Sequence, residues 1–446
     1  GYNALTANTT GSENTAVGLN ALYSNTTAVG NSAFGQSALE ANTTGTGNVA
    51  MGKNSLAANT TASNNTAVGK SALAANTTGE QNVAIGTNAL DANTTAGQNV
   101  AVGYDALSAN ATANYNTAVG REALKANTTG QYNVAVGRTA GMANTTGAYN
   151  TALGANSLDA NTTANNNTAI GYEALTDNTT GADNVAVGYS ALGDNTTAGD
   201  NVAVGPSALR VNTTGERSVA VGSAVLDAST TGSYNTGVGY GALSSNTTAS
   251  SNTAVGKSAL IATTTGANNT AVGTDAGDAL TTGSNNIYIG RESDASSGGV
   301  EHEIVIGNST AGKGSNTFFA APSSGSVYNI GNTTTWNQTS DRRIKKNIVD
   351  NNQGLEIINQ IRVRNFEYRT VDEIVDFDNP EAAVVEKEGL QIGTIAQEIE
   401  TVLPQIIKTE STGVKQVDTD SMTWYLINAV QELSAEVEEL KSKSHD

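Results

Sequence analysis

The residues best placed to do chemistry lie together at Ser340-Asp341-Arg342-Arg343-Ile344-Lys345-Lys346-Asn347-Ile348. A serine hydroxyl is a weak nucleophile until a base takes its proton, and a lysine serves as that base only where its charged form is disfavoured. Lys345 stands close after Ser340, and the neighbouring cations Arg342, Arg343 and Lys346 work against one more positive charge. Lys346 offers an alternative base. The chemistry on offer is nucleophilic attack on a carbonyl, with no cofactor and no metal. Taken alone, a serine and a lysine this close carry no such meaning, and the stretch reads as a solvated basic turn.

The other reactive side chains are scattered. Asp91, Glu122, Asp159 and Glu173 occupy variable positions of a repeat. Paired carboxylates hydrolyse glycosidic bonds, but here they read better as solvated surface charges. Asn-Thr-Thr recurs, as at Asn8, Asn42, Asn59 and Asn76, and matches the N-glycosylation acceptor. A ladder of repeated asparagines accounts for the copies without any glycan. The chain has no cysteine and no histidine before His302, which excludes disulfides, thiolate metal sites and a His-based triad in the array. Its net charge is -19. Residues 1–339 hold 20 acids and 10 bases, and residues 340–446 hold 21 and 12. Neither half is basic, so no nucleic-acid partner is expected. No apolar run approaches the ~18 residues of a membrane-spanning helix, so no membrane insertion is expected.

What must position these groups is a repeat. From Gly1, a glycine recurs every 17 residues, through Gly18, Gly103 and Gly205 to Gly307, without an insertion. The consensus reads N-[T/V]-A-V-G-x-x-A-L-x-A-N-T-T-G/A-x-x. Each repeat is therefore one coil stacked on near-identical neighbours. Seventeen residues are too few for a helix pair, and the Val, Ile and Thr content favours strands. Two short strands per coil are expected, one at Asn99-Val100-Ala101-Val102 and one near Ala106-Leu107-Ser108-Ala109-Asn110, with Gly103 at a corner. Alternation puts Val100 and Val102 on one face and Ala101 on the other. The larger residues, Val102 and Leu107, are expected to fill the core, and the alanine face to meet a neighbouring chain in a trimer. Stacked Asn and Thr predict side-chain ladders. At ~4.8 Å per coil the array would be roughly 85 Å long. Gly1 falls in mid-repeat, so a preceding portion is expected.

The Asn82-Val83-Ala84-Ile85-Gly86 motif and its copies resemble the S-V-A-I-G repeats in the heads of trimeric autotransporter adhesins. That resemblance implies a parallel β-roll assembled as a homotrimer.

Phase is lost after Gly307. Residues 308–339, with Phe318, Phe319, Pro322 and Trp336, read as a β-rich neck that ends the solenoid. From Ser340 the sequence is of ordinary globular type. A helix is expected over 354–361 and strands over 362–368 and 390–396. A short helix over 397–403 is stopped by Pro404, and a hairpin over 406–417 turns at Ser411-Thr412-Gly413. The last helix, Ser421 to Lys443, places Leu426, Val430, Leu433, Val437 and Leu440 at alternating spacings of 4 and 3. That spacing is a coiled-coil seam of about two heptads. A helix packed on its own domain is the competing reading.

The motifs S-D-R-R-I-K-K-N-I at 340–348, G-L-x-x-I from Gly354, F-E-Y from Phe366 and G-x-I-A-Q-E from Gly393 closely resemble the C-terminal intramolecular chaperone of endosialidase-type phage tail spikes and tail fibres. The resemblance implies a domain over 340–446 that trimerises, guides folding of the fibre before it, and cuts itself off. It assigns Ser340 as nucleophile, Lys345 as base and Thr339–Ser340 as the scissile bond, a single-turnover reaction with no external substrate. The expected protein is mainly β. A 17-residue-repeat β-solenoid shaft spans 1–307, a neck 308–339 and a small α+β chaperone 340–446. The expected role is a virion tail fibre that meets a host-surface receptor, glycan or protein. A bacterial surface adhesin with the same chaperone is the alternative, and a glycan-degrading tail spike comes third.

Overall fold

The computed structural model describes residues 1–321, 327–330, 342, 345–374, 385, 387–409 and 413–444. The chain divides into two compact units, Gly1–Gln338 and Thr339–Asp446.

The first unit is a parallel β-solenoid. Three-residue strands recur once per period, from Thr15–Val17 to Ile287–Ile289. Each pairs in register with the strand one coil on, as in Val100↔Thr117, Ala101↔Ala118 and Val102↔Val119. Ile304–Gly307 continues the sheet. There the step shortens, because Ile304 pairs with Phe318 rather than with a residue 17 further on. Thr317–Ala321 then pairs antiparallel with Val327–Ile330.

Two details of the coil differ from expectation. The second strand near Ala106–Asn110 is absent. The chain turns there instead, with Asp105 and Leu107 both in the left-handed region at φ 53° and 51°. A leucine held at positive φ costs about 1–2 kcal/mol. Full burial of that leucine offsets it, since Leu107 is 0% exposed and burying such a side chain is worth about 1.5–3 kcal/mol.

The faces of the first strand are also inverted. Ala101 is fully buried, whereas Val100 and Val102 are only half-buried and point outward. Alternation is obeyed, but size misleads about which face is inside. A 17-residue coil is so thin that the strand nearly touches the turn opposite, and only a methyl group fits between Ala101 and the Ala106–Leu107 pair. Leu107 does fill the core; Val102 does not, and the alanine column meets no other chain.

Glycine sets the corner. Gly103 has φ 146°, and a Cβ there would lie 2.3 Å from the carbonyl oxygen of Gly120. No side chain fits between stacked corners.

Two asparagine ladders run inside the solenoid. Asn127 Nδ2 donates to Asn110 Oδ1 (3.2 Å) and to Gly130 O (2.9 Å). Asn133 accepts from the backbone N–H of Asn150 (2.9 Å) and donates through Nδ2 to Gly147 O (2.8 Å). Threonine adds a third ladder, with Thr128 Oγ1 donating to Thr145 O at 3.0 Å. The coils thereby satisfy most of their buried polar groups on their neighbours. Among the described residues the exception is the place where Ser229 interrupts the asparagine ladder and leaves Asn212 Oδ1 and Ser229 Oγ without a partner.

The second unit is small and α+β. Helix Leu355–Ile358 is followed by strands Arg364–Phe366 and Gln391–Gly393, paired antiparallel. Helix Ala396–Glu400 ends before Pro404, and strands Ile407–Thr409 and Lys415–Val417 form a hairpin. The expected hairpin tip, Ser411 and Thr412, lies outside the described residues. Ile399, Leu403 and Ile406 are the buried centre, with Ile357, Ile361, Met422 and Tyr425 packed against them. The terminal helix is Thr419–Lys443, and the Asp418 side chain caps it by accepting from Ser421 N.

Candidate functional site: the junction and the terminal helix

The junction is described only on its C-terminal side. Thr339 and Ser340, expected to flank a scissile bond, lie outside the described residues, as do Asp341, Arg343 and Ile344. Lys345 is exposed, and its backbone N–H donates to the Arg342 carbonyl at 3.2 Å. Lys346 is exposed as well. Asn347 takes left-handed φ of 55°, which turns the chain just after the two lysines.

The segment after this turn is fastened to the terminal helix. Asn428 Nδ2 donates to the carbonyls of Asn351 (2.6 Å) and Gln353 (3.2 Å). The Leu355 N–H donates to Glu432 Oε2 at 2.7 Å. Between them Gly354 lies flat on the helix, where a Cβ would come within 2.4 Å of the Ala429 nitrogen. The glycine of the G-L-x-x-I motif is therefore required by close packing. Arg364 adds a bidentate pair to Glu398, at 2.7 and 3.2 Å, joining the first strand to the short helix. That arginine holds the Glu398 carboxyl below its usual range.

The terminal helix uses two faces. Met422, Tyr425 and Ala429 pack on the domain. The expected seam does not. Leu426, Val430, Leu433, Val437 and Leu440 are 40 to 66% exposed. The helix thus packs on its own domain through one face and carries a bare apolar stripe on the neighbouring face.

In the solenoid, the acids flagged by sequence make charge pairs and rows along neighbouring coils. Glu122 pairs with Lys125 (3.0 Å), and Lys125 also reaches Asp105 (3.2 Å). Burial, then repulsion from Asp105, pushes the Asp91 carboxyl up; Asp159 is raised likewise by burial and Asp177. Among the described residues no group of three His, Cys, Asp or Glu is arranged to hold a metal ion. The sequon asparagines are structural. Asn42, Asn59 and Asn76 are 0% exposed, and each Nδ2 is already committed to the preceding coil. In the folded shaft they are closed to a glycosyl transferase.

One site escaped the reading of the sequence. Glu303 stands where the ladder asparagine belongs, one period after Asn286, and is 0% exposed. Its carboxylate accepts from Gly314 N (2.8 Å), Ser296 N (3.1 Å) and the Tyr288 hydroxyl (3.3 Å). Burial and this carboxylate together hold the Tyr288 phenol in its neutral form. Glu303 ends the asparagine ladder and ties down the 312–316 loop where the coil shortens. The Asn-to-Glu exchange at a fixed phase was the signal available.

No curated protein and no solved structure matches the chain. The match is to a family of domains and covers residues 340–408, from Ser340 through the buried Ile399, Leu403 and Ile406 to the first hairpin strand; the family is described as chaperone of endosialidase. After its β-solenoid the chain therefore carries an intramolecular chaperone domain of the endosialidase type.

Proposed function

We propose that the chain is a fibre subunit of a phage tail, and that its second unit aligns three copies, directs folding of the shaft and then releases itself. The observation that carries this reading is the order of the parts. A solenoid with an unbroken 17-residue period to Gly307 is followed, after residues 308–339, by a chaperone-family sequence starting at Ser340. Identical coils make a one-coil slip between chains nearly degenerate, so register must be set from outside the array. The bare seam from Leu426 to Leu440 supplies a contact at which copies of the chain start in register. Ser340 Oγ, its proton taken by Lys345, attacks the Thr339 carbonyl. The amide C–N bond breaks as the proton passes to the Ser340 amine, and water then hydrolyses the resulting ester to leave a Thr339 carboxylate and a free Ser340 hydroxyl. Association of the three copies provides the burial that Lys345 needs. The shaft, freed of its register-setting element, then unfolds slowly, as suits adhesion to a host-surface glycan or protein.

Expression of the whole chain tests this. Fragments 1–339 and 340–446 are expected, and Ser340→Ala is expected to stay intact while still forming trimers. Persistence of the unmutated chain at full length after folding would overturn the release mechanism.

A further inference from the structure

The outward face of the solenoid sheet carries a pattern that the fold of one chain does not require. The residue before each corner glycine is Val17, Phe34, Met51 and so on to Ile289 and Ile306, eighteen positions in all, and every one is Val, Ile, Leu, Met or Phe. These side chains point away from the core, with Val17 54%, Leu153 45% and Val272 41% exposed. The second outward column, from Thr15 through Val134 to Ile304, holds only Val, Ile, Thr and Ser. Neither column contains one ionisable side chain, in a chain of net charge -19. Exposed positions beside them vary freely, as Tyr104, Arg121, Arg138, Tyr172 and Lys257 do one residue past the glycine. A solvent-facing column has no reason to remain apolar throughout.

We infer that this sheet face is the surface on which copies of the chain pack against one another along the shaft, parallel and coil against coil. The inference rests on the reading of the chain as an oligomeric fibre, and assigns which surface is shared. Two arguments select a second copy as occupant. The column repeats at the ~4.8 Å strand spacing over its whole length, and a partner that fills it coil by coil needs the same repeat. The area also suffices. Eighteen partly exposed apolar side chains offer about 1,000 Å² per chain, against the ~800 Å² per partner of a standard stable interface. The contact is therefore made by the valine column and not by the alanine column, which each chain keeps inside itself.

The absence of cysteine makes the test clean. Val187→Cys and Ile85→Cys lie on the proposed face, and Thr163→Cys lies on an exposed turn away from it. In the whole folded chain, oxidation is expected to give an interchain disulfide at 187 and at 85 but not at 163. Maleimide labelling of 187 and 85 is expected to be slower than at 163 by about tenfold or more, as for groups exposed only by opening. Equal labelling at all three positions overturns the inference. So does protection at 187 and 85 without an interchain bond, because another molecule then covers the face. The same cysteines placed in the Ser340→Ala chain separate the two readings, since cleavage then fails while the shaft contact is expected to remain.

Discussion

The solenoid core has one exchange of volume that tests how tightly its coils are packed. Val225 replaces the alanine or serine found at its phase in other coils, and Gly237 replaces the usual alanine of the strand. The two face each other. A Cβ on Gly237 would lie 2.4 Å from Val225 Cγ1 and 3.7 Å from Leu226 Cδ1. Gly237→Ala alone should therefore overpack the coil and cost about 1–3 kcal/mol. Val225→Ala alone deletes two methyl groups from a fully buried site and should cost about 2 kcal/mol through lost burial and the cavity left behind. Together they recreate the alanine pair of the coil holding Ala123 and Ala135, and the double variant should be close to the starting stability. The coupling is then about 3–5 kcal/mol and opposite in sign to the single effects. Because each coil contacts only its neighbours, the change should be local. Amide hydrogen exchange over residues 222–256 reads it, with thermal unfolding of the whole shaft as the second measure. A double variant as unstable as the sum of the singles would refute the idea that the core is a fixed-volume layer.

Two other outcomes follow from the coordinates. Gly103→Ala places a methyl group 2.3 Å from the Gly120 carbonyl oxygen at a φ of 146°, and should cost more than about 4 kcal/mol, seen as a new protease-sensitive site near residue 103. The Asp278 carboxyl is pushed up to about 6 by burial and by a shared hydrogen bond with Asp294, with Asp275 adding repulsion. An acid raised in the folded state binds its proton more tightly there than when unfolded, so this pair should stabilise the shaft as pH falls from about 6 towards 4. Asp278→Asn should raise the melting temperature at pH 8, leave it unchanged at pH 4 and flatten the slope between. A pH dependence unaltered by the substitution would show that the pair does not titrate in this range.

The period, the corner glycines, the asparagine ladders and the α+β elements after Gly354 were legible because each leaves a mark at fixed spacing. Gly103 and Asn127 recur at invariant phase, and Pro404 stops its helix. What misled was size. Val102 is larger than Ala101, and size ordinarily marks the inside, but the thinness of the coil reverses that rule. Left-handed Leu107 was invisible for a related reason, since local preference argues against leucine at positive φ and only the stacked neighbours, through burial, override it. Tyr288 shows the same principle from the other side. It stands in an alanine position and is fully buried, because the leucine expected in that coil is Gly277, whose missing side chain leaves room for the ring. Composition at one phase could not reveal this; the two phases read together do.

The two apolar stripes also explain why a self-releasing helper is workable. The seam has Val430 and Val437 at a positions and Leu426, Leu433 and Leu440 at d, a pattern that in isolated parallel coiled coils favours two strands. It therefore does not dictate three copies by itself. It is also small: five half-exposed side chains offer about 400 Å² per chain, half of a standard interface side. Such a contact forms and dissociates readily, which suits an element that must bring chains together and allow wrong registers to separate. On the inferred packing the shaft face is more than twice as large and adds one increment per coil, so that a correctly started assembly would gain stability with each coil that closes. On the proposed pathway the seam contributes most when few coils have formed and little once all have. On that pathway, cutting at Thr339–Ser340 would sacrifice only a small fraction of the contact area and remove the element that set the register.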